Sequence, residues 1–497
     1  MSSNKPVKQL YTAAQVRELD RIAIDERGTP GIALMKRAGE ACTQALLARW
    51  PAPKKVCVLC GSGNNAGDGY IIAGLLQSRQ VPAQVVMVGK EPAANTDAAA
   101  AYRFCQENGA NVVDLDTALV DAEVIVDALL GTGVSGPVRP GYADVIEEVN
   151  AAGLPVLAVD LPSGLSADTG VSAGPAIHAD MTVTFIGRKL GLFTADGPEQ
   201  AGEVVFAGLD VPADVFAEVQ STADMLDYET LVAGLKPRHR NAHKLSHGHV
   251  LVVGGDHGMP GAAALAAEAA LFSGAGMVTV ATQPDNVSTI VCRRPEAMAR
   301  GIESSSTLAP LLARASVVVM GPGLGRSDWS EMMFEAVLAT DLPLVLDADG
   351  LNLLAQSPFS RSNWILTPHP GEASRLLAAP AALKPPVQAD RLAAVQALQS
   401  RYQGTVLLKG AGTLIADAAG TQLCPYGNPG MSVAGMGDLL SGTIGGLLAQ
   451  GLGQLESACL GAVVHALAAD CVVARQGERG LLASELLPEI RRLINQL

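Results

Sequence analysis

Residues 427–442, GNPGMSVAGMGDLLSG, combine a glycine-rich turn, an aspartate and the start of an apolar helix. The first turn of a helix leaves backbone N–H groups unpaired at its positive end, and this arrangement suits a phosphate. Asp438 would repel that phosphate unless it takes a proton from an attacking hydroxyl group. The alternative is that Asp438 caps the helix, which stabilises a helix by ~1 kcal/mol. The segment alone leaves both roles open.

A second glycine-rich segment, residues 61–70 (GSGNNAGDGY), follows strand-like residues 55–60 and leads into a helix. It departs from the GxGxxG fingerprint of dinucleotide sites, because Asn64 and Asn65 replace the spacing of the tight turn. Asparagine tolerates left-handed backbone angles and offers amide groups to a polar ligand. We therefore predict a binding loop of unusual type, with Asp68 at the helix start, rather than an ordinary dinucleotide fingerprint.

Two further strand-like runs of this half end in aspartate. VIVDALLGTGVSGPVRPGY contains Asp127, and VLAVDLPSGLSADTG contains Asp160 and Ser163. Such an aspartate is either a polar stop or a functional carboxylate, and open α/β sheets place their ligands at this edge. Because three polar strand ends fall in one half, we favour the functional interpretation. Oxygen atoms of Asn65, Asp127 and Ser163 could hold a hard cation, and Asp160 could move protons.

The second half carries its own series of strand-end motifs. Glycine loops occupy residues 254–261 and 320–325, and polar motifs follow in VLDADGLNLL, LTPHPGEA and LLKGAGT. Their polar members include Asp347, Asp349, Asn352, His369, Glu372 and Lys409. Each motif is weak evidence by itself. As an ordered series that ends in GMGD, they predict a nucleotide pocket that faces a polar substrate pocket.

Several reactive side chains also have simpler interpretations. His369 stands between two prolines, which favours a loop position and a ligand role over a core role. Lys409 could contact a phosphate, although an exposed loop lysine is commoner. The spacing of the histidines at positions 239, 243, 247 and 249 matches no closed zinc site. Cys57 and Cys60 form a CxxC within a strand-like run, where residues three apart face opposite sides, so we predict buried core thiols.

The composition indicates an α/β protein built from small apolar residues. Of the 497 residues, 48% are hydrophobic but only 4% are aromatic, and 53 are glycine. This composition suits buried parallel strands covered by helices. A net charge of −14 argues against sequence-independent nucleic-acid binding, which needs a basic surface. No apolar segment follows the polar start MSSNKPVKQL, so we expect a cytoplasmic protein without membrane contact.

Strand-like and helical stretches alternate along the chain, which implies parallel sheets with right-handed crossovers. The predicted strands cover residues 56–59, 83–88, 124–127, 156–160, 181–185, 249–253, 277–281, 316–320, 344–346, 364–366 and 405–408. Residues 12–27 and 32–50 have helical periodicity. We predict two α/β domains, at residues 1–217 and 238–497, with a linker at residues 218–237 where no strand pattern persists.

Together these motifs resemble the bifunctional NAD(P)H-hydrate repair enzymes, and the resemblance covers nearly the whole chain. NNAGDG, VDALLGTG and VDLPSG resemble the Rossmann-like hydrate epimerase domain. VLDADGLN, TPHPGE, KGAGT and NPGMSVAGMGD resemble the ribokinase-like, nucleotide-dependent hydrate dehydratase. The resemblance implies a substrate in which water has added to the nicotinamide ring of NADH or NADPH. The first domain would interconvert the R and S hydrates, and the second would dehydrate the S hydrate at the expense of ADP, giving NAD(P)H, AMP and phosphate.

The resemblance also implies the residues of each site. It implies potassium at Asn65, Asp127 and Ser163, magnesium with the nucleotide, small molecules as the partners, and a homo-oligomer. In the first domain the hydrate would contact Asn64, Asn65, Ala66, Gly67, Asp68, Gly131, Thr132, Gly133, Val134, Ser135, Gly136, Pro137, Tyr142 and Asp160. In the second domain the hydrate would contact Ala262, Gly323, His369 and Asp438, and ADP would contact Lys409, Gly410, Ala411, Gly412, Thr413 and Gly437. One departure is Ala66, which stands where many members have glycine.

The chemistry of a hydrate gives each catalytic carboxylate a role. Asp438 would deprotonate the hydrate hydroxyl as the terminal phosphate of ADP transfers, while the amides of residues 435–437 stabilise the charge. Asp160 would move the proton to and from departing water as the ring nitrogen opens the stereocentre to a planar iminium, with ring opening as an equal alternative. The rival function is a ribokinase-like small-molecule kinase fused to a non-catalytic Rossmann-like ligand-binding domain, because such kinases share the GxGD pattern.

Overall fold

The computed structural model describes residues 8–133, 136–378 and 387–497. The chain divides into two compact units, Met1–Asp224 and Met225–Leu497. The division falls within residues 218–237, where the sequence predicts a linker. These residues also contain a short strand, Ala223–Met225, and a short helix, Tyr228–Val232.

The first unit alternates strands and helices. Its strands are β1 (Gln9–Tyr11), β2 (Val56–Cys60), β3 (Ala83–Met87), β4 (Asn111–Val113), β5 (Val124–Ala128), β6 (Val156–Val159), β7 (Met181–Phe185), β8 (Arg188–Lys189) and β9 (Glu203–Ala207), and β10 (Ala223–Met225) lies at its end. Its helices are α1 (Ala13–Arg21), α2 (Gly31–Arg49), α3 (Asn64–Ser78), α4 (Asp97–Glu107), α5 (Leu115–Leu119), α6 (Pro140–Ala152), α7 (Gly197–Ala201) and α8 (Val215–Glu218). A π-helical turn, Ile22–Glu26, extends α1, and a 3-10 turn covers Leu190–Phe193.

The main sheet of this unit is parallel, with the strand order β4-β3-β2-β5-β6-β7-β9. Counted along the chain, the order 3-2-1-4-5-6-7 contains the 3-2-1-4-5-6 order of the Rossmann fold. Such sheets bind ligands beyond the carboxyl ends of the strands, at the point where the order reverses. Here that point lies between β2 and β5. The predicted parallel sheet is confirmed.

The second unit repeats this alternation. Its strands are β11 (His249–Val253), β12 (Met277–Thr282), β13 (Met298–Gly301), β14 (Val317–Met320), β15 (Leu344–Leu346), β16 (Trp364–Leu366), β17 (Thr405–Leu408), β18 (Thr413–Ala416) and β19 (Thr421–Cys424). Its helices are α9 (Tyr228–Val232), α10 (Pro260–Phe272), α11 (Val287–Arg293), α12 (Ser305–Leu312), α13 (Asp328–Leu338), α14 (Ala348–Gln356), α15 (Pro370–Leu377), α16 (Arg391–Tyr402), α17 (Met436–Ala449), α18 (Gln454–Gln476) and α19 (Leu486–Ile494). Its 3-10 turns are Lys244–His247, Pro284–Asn286, Pro429–Met431 and Ala483–Glu485.

The sheet of the second unit runs β13-β12-β11-β14-β15-β16-β17-β18-β19. The pairs from β13 to β17 are parallel, and the β17–β18 and β18–β19 pairs are antiparallel. The parallel part again has the order 3-2-1-4-5-6-7 along the chain. The carboxyl ends of β11, β14, β15 and β17 therefore open on the same edge of this sheet.

Helix α17, which carries Asp438 near its start, lies directly against helix α10. A Cβ atom at Gly442 would collide with the carbonyl group of Ala266, and one at Gly446 would collide with that of Ala270. Only glycine permits this approach of two helix backbones. The small residues of both helices therefore fix the position of the helix start.

The structure adds strands that hydrophobic patterning did not predict, among them β4, β9 and β13. Each has exposed or partly exposed residues along most of its length. Such strands lack the continuous apolar run that marks a buried strand. The predicted helix over residues 12–27 is also divided, because α1 passes into the π-helical turn Ile22–Glu26.

Two further expectations concern apolar segments. Among the described residues, one helix, α18, is long and apolar enough to cross a membrane, but 72% of its most apolar stretch is buried within the protein. We therefore describe α18 as a core helix. Cys57 and Cys60 are fully buried in two separate clusters on opposite faces of β2, so the prediction of buried thiols is confirmed.

Candidate active sites

A cavity of about 640 Å³ opens beside the switch point of the first unit. Its wall includes the predicted residues Asn64, Asn65, Asp68, Gly131, Thr132, Gly133, Pro137, Tyr142 and Asp160. Ala66 and Gly67 are instead buried within α3, where a Cβ on Gly67 would collide with the Met35 side chain. Gly136 is exposed, and Val134 and Ser135 lie outside the described residues. The structure thus brings most of the predicted first-site residues to one cavity.

Asn64 and Asn65 are the first residues of helix α3 and not part of a loop. Gly63 precedes them as the N-cap in an extended conformation, and neither asparagine has a positive φ. The prediction of a left-handed binding loop is therefore wrong, because helix formation overrides the weak left-handed preference of asparagine. The helix start still offers unpaired N–H groups at the cavity. Alanine at position 66 is compatible with this helical backbone.

Asp127 is fully buried at the end of β5, where it accepts three hydrogen bonds. Its donors are the Ser163 backbone N–H at 2.8 Å, the Ser163 hydroxyl at 2.6 Å and the Leu129 N–H at 3.2 Å. Burial nevertheless raises the pKa of Asp127 to about 6, with these hydrogen bonds acting in the opposite direction. Among the described residues no Lys, Arg or His forms an ion pair with it. A cation beside this buried carboxylate would stabilise its ionised form further.

Asp160 follows β6 with a left-handed backbone, at a φ of 69°. Its Oδ1 atom forms an ion pair with the ammonium group of Lys189, which is fully buried. The same oxygen accepts hydrogen bonds from the Phe185 N–H at 3.2 Å and the Thr184 hydroxyl at 3.3 Å. Lys189 also donates to the Phe185 carbonyl at 3.1 Å. Asp160 is thus a fixed, partly exposed carboxylate with its own buried cation.

Sequence reasoning missed five charged residues on the same wall: Arg17, Asp20, Asp97, Arg139 and Lys189. Burial raises the pKa of Asp20 to about 6, with Lys189 lowering it and Asp160 raising it. Arg17 donates to the Thr132 carbonyl at 3.1 Å and so connects α1 to the loop after β5. Lys189 carried one signal in the sequence, since a lysine within the apolar run TFIGRKLGLF is unusual. Arg17 and Asp20 lie on an ordinary amphipathic helix and carried none.

In the second unit, Lys409 is the centre of a cluster of carboxylates. Its ammonium group lies 2.8 Å from Asp347 Oδ1 and 3.9 Å from Glu372 Oε2. Burial acts to lower the pKa of Lys409, but Asp347 and Glu372 outweigh it and the net pKa is raised. A Cβ atom on Gly437 would stand 3.2 Å from this ammonium group. Lys409 is therefore a charged residue at the start of α17, and the exposed-loop interpretation is wrong.

Asp438 is the third residue of α17. The N-cap of this helix is Gly435, in a left-handed conformation with a φ of 91°, and no side chain caps the helix. The capping role considered for Asp438 is therefore wrong. Burial raises the pKa of Asp438 to about 7; Asp347 and Asp349 raise it further, and Lys409 acts to lower it. A carboxylate with a pKa near the working pH is well suited to general-base catalysis.

His369 is exposed in the connection between β16 and α15, where it is the N-cap of α15, so the prediction of a loop position rather than a core position is confirmed. Its Nδ1 accepts hydrogen bonds from the N–H groups of Gly371 at 3.0 Å and Glu372 at 3.4 Å. Burial, Lys409 and Arg375 lower its pKa. The ring is therefore neutral at pH 7, with its proton on Nε2. Its Nε2 atom lies 3.3 Å from Glu372 Oε1, so a ligand would have to share or replace that acceptor to receive this hydrogen bond.

Two glycine loops of the second unit interlock at the switch point between β11 and β14. The Asp256 N–H donates to the Gly323 carbonyl at 2.7 Å, and the Gly255 N–H donates to the Pro322 carbonyl at 3.1 Å. A Cβ atom on Gly323 would stand 3.2 Å from that of Ala262. The predicted contacts Ala262 and Gly323 are thus neighbours at this edge of the sheet.

The loop of residues 409–413 is held from behind by a buried guanidinium group. Arg391 is 2% exposed and donates to the carbonyl groups of Leu408, Lys409 and Gly412 at 3.3–3.4 Å. Burial lowers its pKa to about 10, so the group remains charged at neutral pH. Because these carbonyls point toward Arg391, the arrangement fixes the backbone conformation of the loop. Sequence reasoning missed Arg391, which lies on an ordinary helix.

We expect Arg391→Met to destabilise the protein and to weaken nucleotide binding. The change removes a charged donor from three carbonyl groups and leaves an apolar chain in its place, at a cost of ~2 kcal/mol in the free energy of unfolding. Chemical denaturation and calorimetric titration with ADP would measure the two effects. Arg401→Met is the matched control, because Arg401 lies on the same helix but stacks on the Tyr402 ring. Equal ADP affinity in both variants would contradict the role of Arg391.

No group of three His, Cys, Asp or Glu side chains is arranged to hold a metal ion in the part of the chain that the structure describes. His249 is instead a buried core residue, with Nε2 2.8 Å from the Thr279 hydroxyl.

The fold and the two sites define a two-domain α/β enzyme, with a Rossmann-like first unit and a ribokinase-like second unit. The chain is 29% identical to a ribokinase-like superfamily protein of known structure from Enterococcus faecalis, with a TM-score of 0.51. The alignment covers 55% of this chain and 95% of that protein. A family model described as NAD(P)H-hydrate dehydratase matches residues 250–492, and a model of the YjeF-related protein N-terminus matches residues 31–191.

Curated relatives match the chain over its whole length. It is 48% identical to the bifunctional NAD(P)H-hydrate repair enzyme of Coxiella burnetii, over 98% of this chain and 99% of the relative. It is 39% identical to the enzyme of the same name from Escherichia coli, over 98% of this chain and 94% of the relative. The chain belongs to the family of bifunctional NAD(P)H-hydrate repair enzymes.

Proposed function

We propose that this protein repairs hydrated NADH and NADPH by epimerisation in its first unit and ADP-dependent dehydration in its second. The observation that carries the proposal is the start of α17. There Asp438, with a pKa of about 7, lies in the electrostatic field of Lys409, at a helix end whose N-cap is a left-handed glycine. A base next to a site for phosphate matches a reaction in which a hydroxyl group attacks a phosphoryl group.

For dehydration, Asp438 removes the proton of the hydrate hydroxyl while this oxygen attacks the terminal phosphorus of ADP. The bond between that phosphorus and the bridging oxygen breaks, and AMP leaves. Lys409 and the backbone N–H groups at residues 435–437 stabilise the transferring phosphoryl group. The ring nitrogen then expels phosphate from the carbon, and loss of a proton from the neighbouring ring carbon restores the dihydropyridine. His369, neutral with its proton on Nε2, can orient the hydrate by a hydrogen bond.

The loop of residues 409–413 supports the assignment of the nucleotide to this edge. Arg391 holds the carbonyl groups of Leu408, Lys409 and Gly412, which fixes the backbone of the residues that would contact ADP: Gly410, Ala411, Gly412 and Thr413. Gly437 has no Cβ atom, so a phosphate can approach Lys409 beside it. Ala262 and Gly323 border the hydrate. Magnesium, when bound with ADP, neutralises phosphate charge.

For epimerisation, Asp160 serves as a proton-transfer group while the hydroxyl group of the hydrate leaves as water and a water molecule adds back to the same carbon. The cavity of the first unit offers polar groups to hold the rest of the molecule: Asn64, Gly131, Thr132, Gly133, Pro137 and Tyr142. The Tyr142 hydroxyl is held by the Val88 carbonyl at 3.0 Å, so its position is defined. Asp68 shares this wall with Asp160.

A potassium ion fits the polar group formed by Asn65, Asp127 and Ser163. Asp127 is a buried carboxylate whose ionised form a cation would stabilise, and the amide nitrogen of Asn65 is buried without a hydrogen-bond partner. The oxygen and nitrogen of an asparagine amide are interchangeable by rotation, so an oxygen can occupy that position. Hard oxygen donors of this kind suit an alkali cation. The ion would fix the start of α3 against the loop after β5.

A mixture of R and S hydrates tests both activities in one experiment. We expect the purified protein with ADP to convert the whole mixture in one fast phase, with recovery of the near-ultraviolet absorbance of dihydronicotinamide and one AMP per hydrate. If recovery stops at the S fraction and the remainder reacts at the uncatalysed rate, the proposed epimerase activity of the first unit is contradicted. A stable phosphorylated product without this absorbance would instead indicate a kinase.

A further inference from the structure

Two carboxyl groups of the epimerase cavity, those of Asp68 and Asp160, have very different contacts. Asp160 accepts hydrogen bonds from Lys189, Thr184 and Phe185. Asp68 lies on the same cavity wall, and its carboxyl group has no hydrogen bond or ion pair within the part of the chain that the structure describes. One carboxylate therefore has a buried cation, and the other has no such partner.

This difference in contacts determines which of the two carboxyl groups holds a proton more readily. Burial raises the pKa of Asp68 well above its usual range; Asp160 and Asp20 raise it further, and Lys189 offsets only part of the effect. Two carboxyl groups whose surroundings favour opposite protonation states are the usual basis of an acid and base pair. Burial thus favours the neutral form of Asp68 on α3, whereas the ammonium group of Lys189 favours the ionised form of Asp160 after β6.

We propose that Asp68 is a second catalytic group of the epimerase, a carboxylic acid that protonates the leaving hydroxyl group while Asp160 accepts the proton of the water that adds. This inference rests on the proposed epimerase function of the same cavity. It goes further because it gives proton donation and proton acceptance to two residues on two different elements.

Asp68 gives its proton to the hydroxyl oxygen, the carbon–oxygen bond breaks, water leaves, and the lone pair of the ring nitrogen forms the iminium bond. A second water adds to the opposite face of this carbon, the iminium electron pair returns to nitrogen, and the proton of that water passes to Asp160. The proton then returns from Asp160 to Asp68. The other epimer reacts by the reverse of this route: the proton first passes from Asp68 to Asp160, Asp160 protonates the leaving hydroxyl group, and Asp68 accepts the proton of the water that adds.

Other charged groups on this wall set the protonation of the pair. Lys189 on β8 contacts Asp160 directly, and Asp20 on α1 adds negative charge. Cys42 on α2 is buried outside the cavity wall, and burial raises the pKa of its thiol, so it adds no charge. Arg17, Asp97 and Arg139 also line the cavity.

Ile186, a β-branched residue with a φ of 59°, lies between Phe185 and the glycine that follows it. Phe185, the residue before it, donates to Asp160 and accepts from Lys189. Strained backbone conformations of this kind are common next to functional groups.

The pH dependence of epimerisation tests the proposal. In the wild-type protein we expect the rate to fall on the alkaline side, as Asp68 loses its proton. Asparagine has the same shape as the neutral acid, so we expect the Asp68→Asn variant to fold. Its kcat should be lower by ~10²–10⁴-fold, and its rate should no longer fall at alkaline pH, that is, its pH profile should lack the alkaline limb. In ¹⁸O-labelled water, each wild-type epimerisation should introduce one solvent oxygen. Asp97→Asn, which removes another carboxylate from this wall, should keep the alkaline limb.

Three results would overturn this inference. The first is an Asp68→Asn variant in which only KM rises and both kcat and the alkaline limb persist, since Asp68 would then only bind the hydrate. The second is epimerisation without solvent oxygen, which would indicate ring opening. The third is an alkaline limb that disappears equally in Asp97→Asn. A wild-type protein that fails to interconvert the hydrates would instead overturn the proposed epimerase function.

Discussion

Asp438→Asn is expected to slow dehydration of the S hydrate by ~10²–10⁴-fold, because the substitution removes the base that activates the attacking hydroxyl group. ADP affinity should remain, since Asp438 carries the same charge sign as the nucleotide and its neighbour Lys409 is unchanged. Stopped-flow absorbance for the chemistry and calorimetry for ADP binding would separate these effects. Wild-type turnover in Asp438→Asn would remove Asp438 from the mechanism.

The pH profile adds a second measure of the same residue. The pKa of Asp438 is raised to about 7, and only its ionised form accepts a proton. The wild-type rate should therefore fall at acidic pH and rise as the pH passes through about 7. The residual rate of the Asp438→Asn variant should not show this fall at acidic pH. Asp328→Asn provides the control, because Asp328 is an exposed acidic residue in the first turn of α13. A limb that persists without Asp438 would belong to another group.

The second large effect is expected for Asp160→Asn in the first unit. In this variant the R and S hydrates should interconvert ~10²–10⁴-fold more slowly than in the wild-type protein, because asparagine cannot carry the proton. With pure S hydrate and ADP the same variant should dehydrate at the wild-type rate. A mixture of hydrates would then show one fast phase that ends at the S fraction, followed by a slow phase.

Folding has to be monitored in this variant, because Lys189 loses its buried partner. Breaking a buried ion pair from one side costs ~3–5 kcal/mol, although a lysine can release its proton instead. Asp144→Asn removes an exposed carboxylate from α6 of the same unit and should change neither rate. Wild-type interconversion by folded Asp160→Asn would contradict the role of Asp160.

Much of this architecture was predictable, because buried parallel strands are continuous apolar runs. The strands at residues 181–185, 249–253, 344–346, 364–366 and 405–408 have the bounds that the sequence predicts. Edge strands such as β4 and β13 were missed since they are largely exposed and lack that run. The start of α3 was misread because local asparagine preferences compete with helix formation, and a tertiary context decides between them.

The site residues show the same division. Asp127, Asp160 and Asp438 could be found because each interrupts an apolar segment at a strand end or a helix start. Asp20 and Arg391 could not be found, since their function depends on contacts between distant parts of the chain. Arg391 is one ordinary helical arginine among many until the structure places it behind residues 408–412. Charged residues that act from behind a site carry no motif of their own.

The close approach of α10 and α17 has a consequence for protein engineering. Exchanging glycine for alanine in a helix commonly raises thermal stability, by ~0.5–1 kcal/mol for each exchange. At Gly442 and Gly446 the added methyl group would meet the facing main chain, so the same exchange would force the two helices apart. Efforts to make this protein more heat-resistant should therefore leave those two positions unchanged. A displacement of α17 at either glycine would also move the start of the helix, where Asp438 lies.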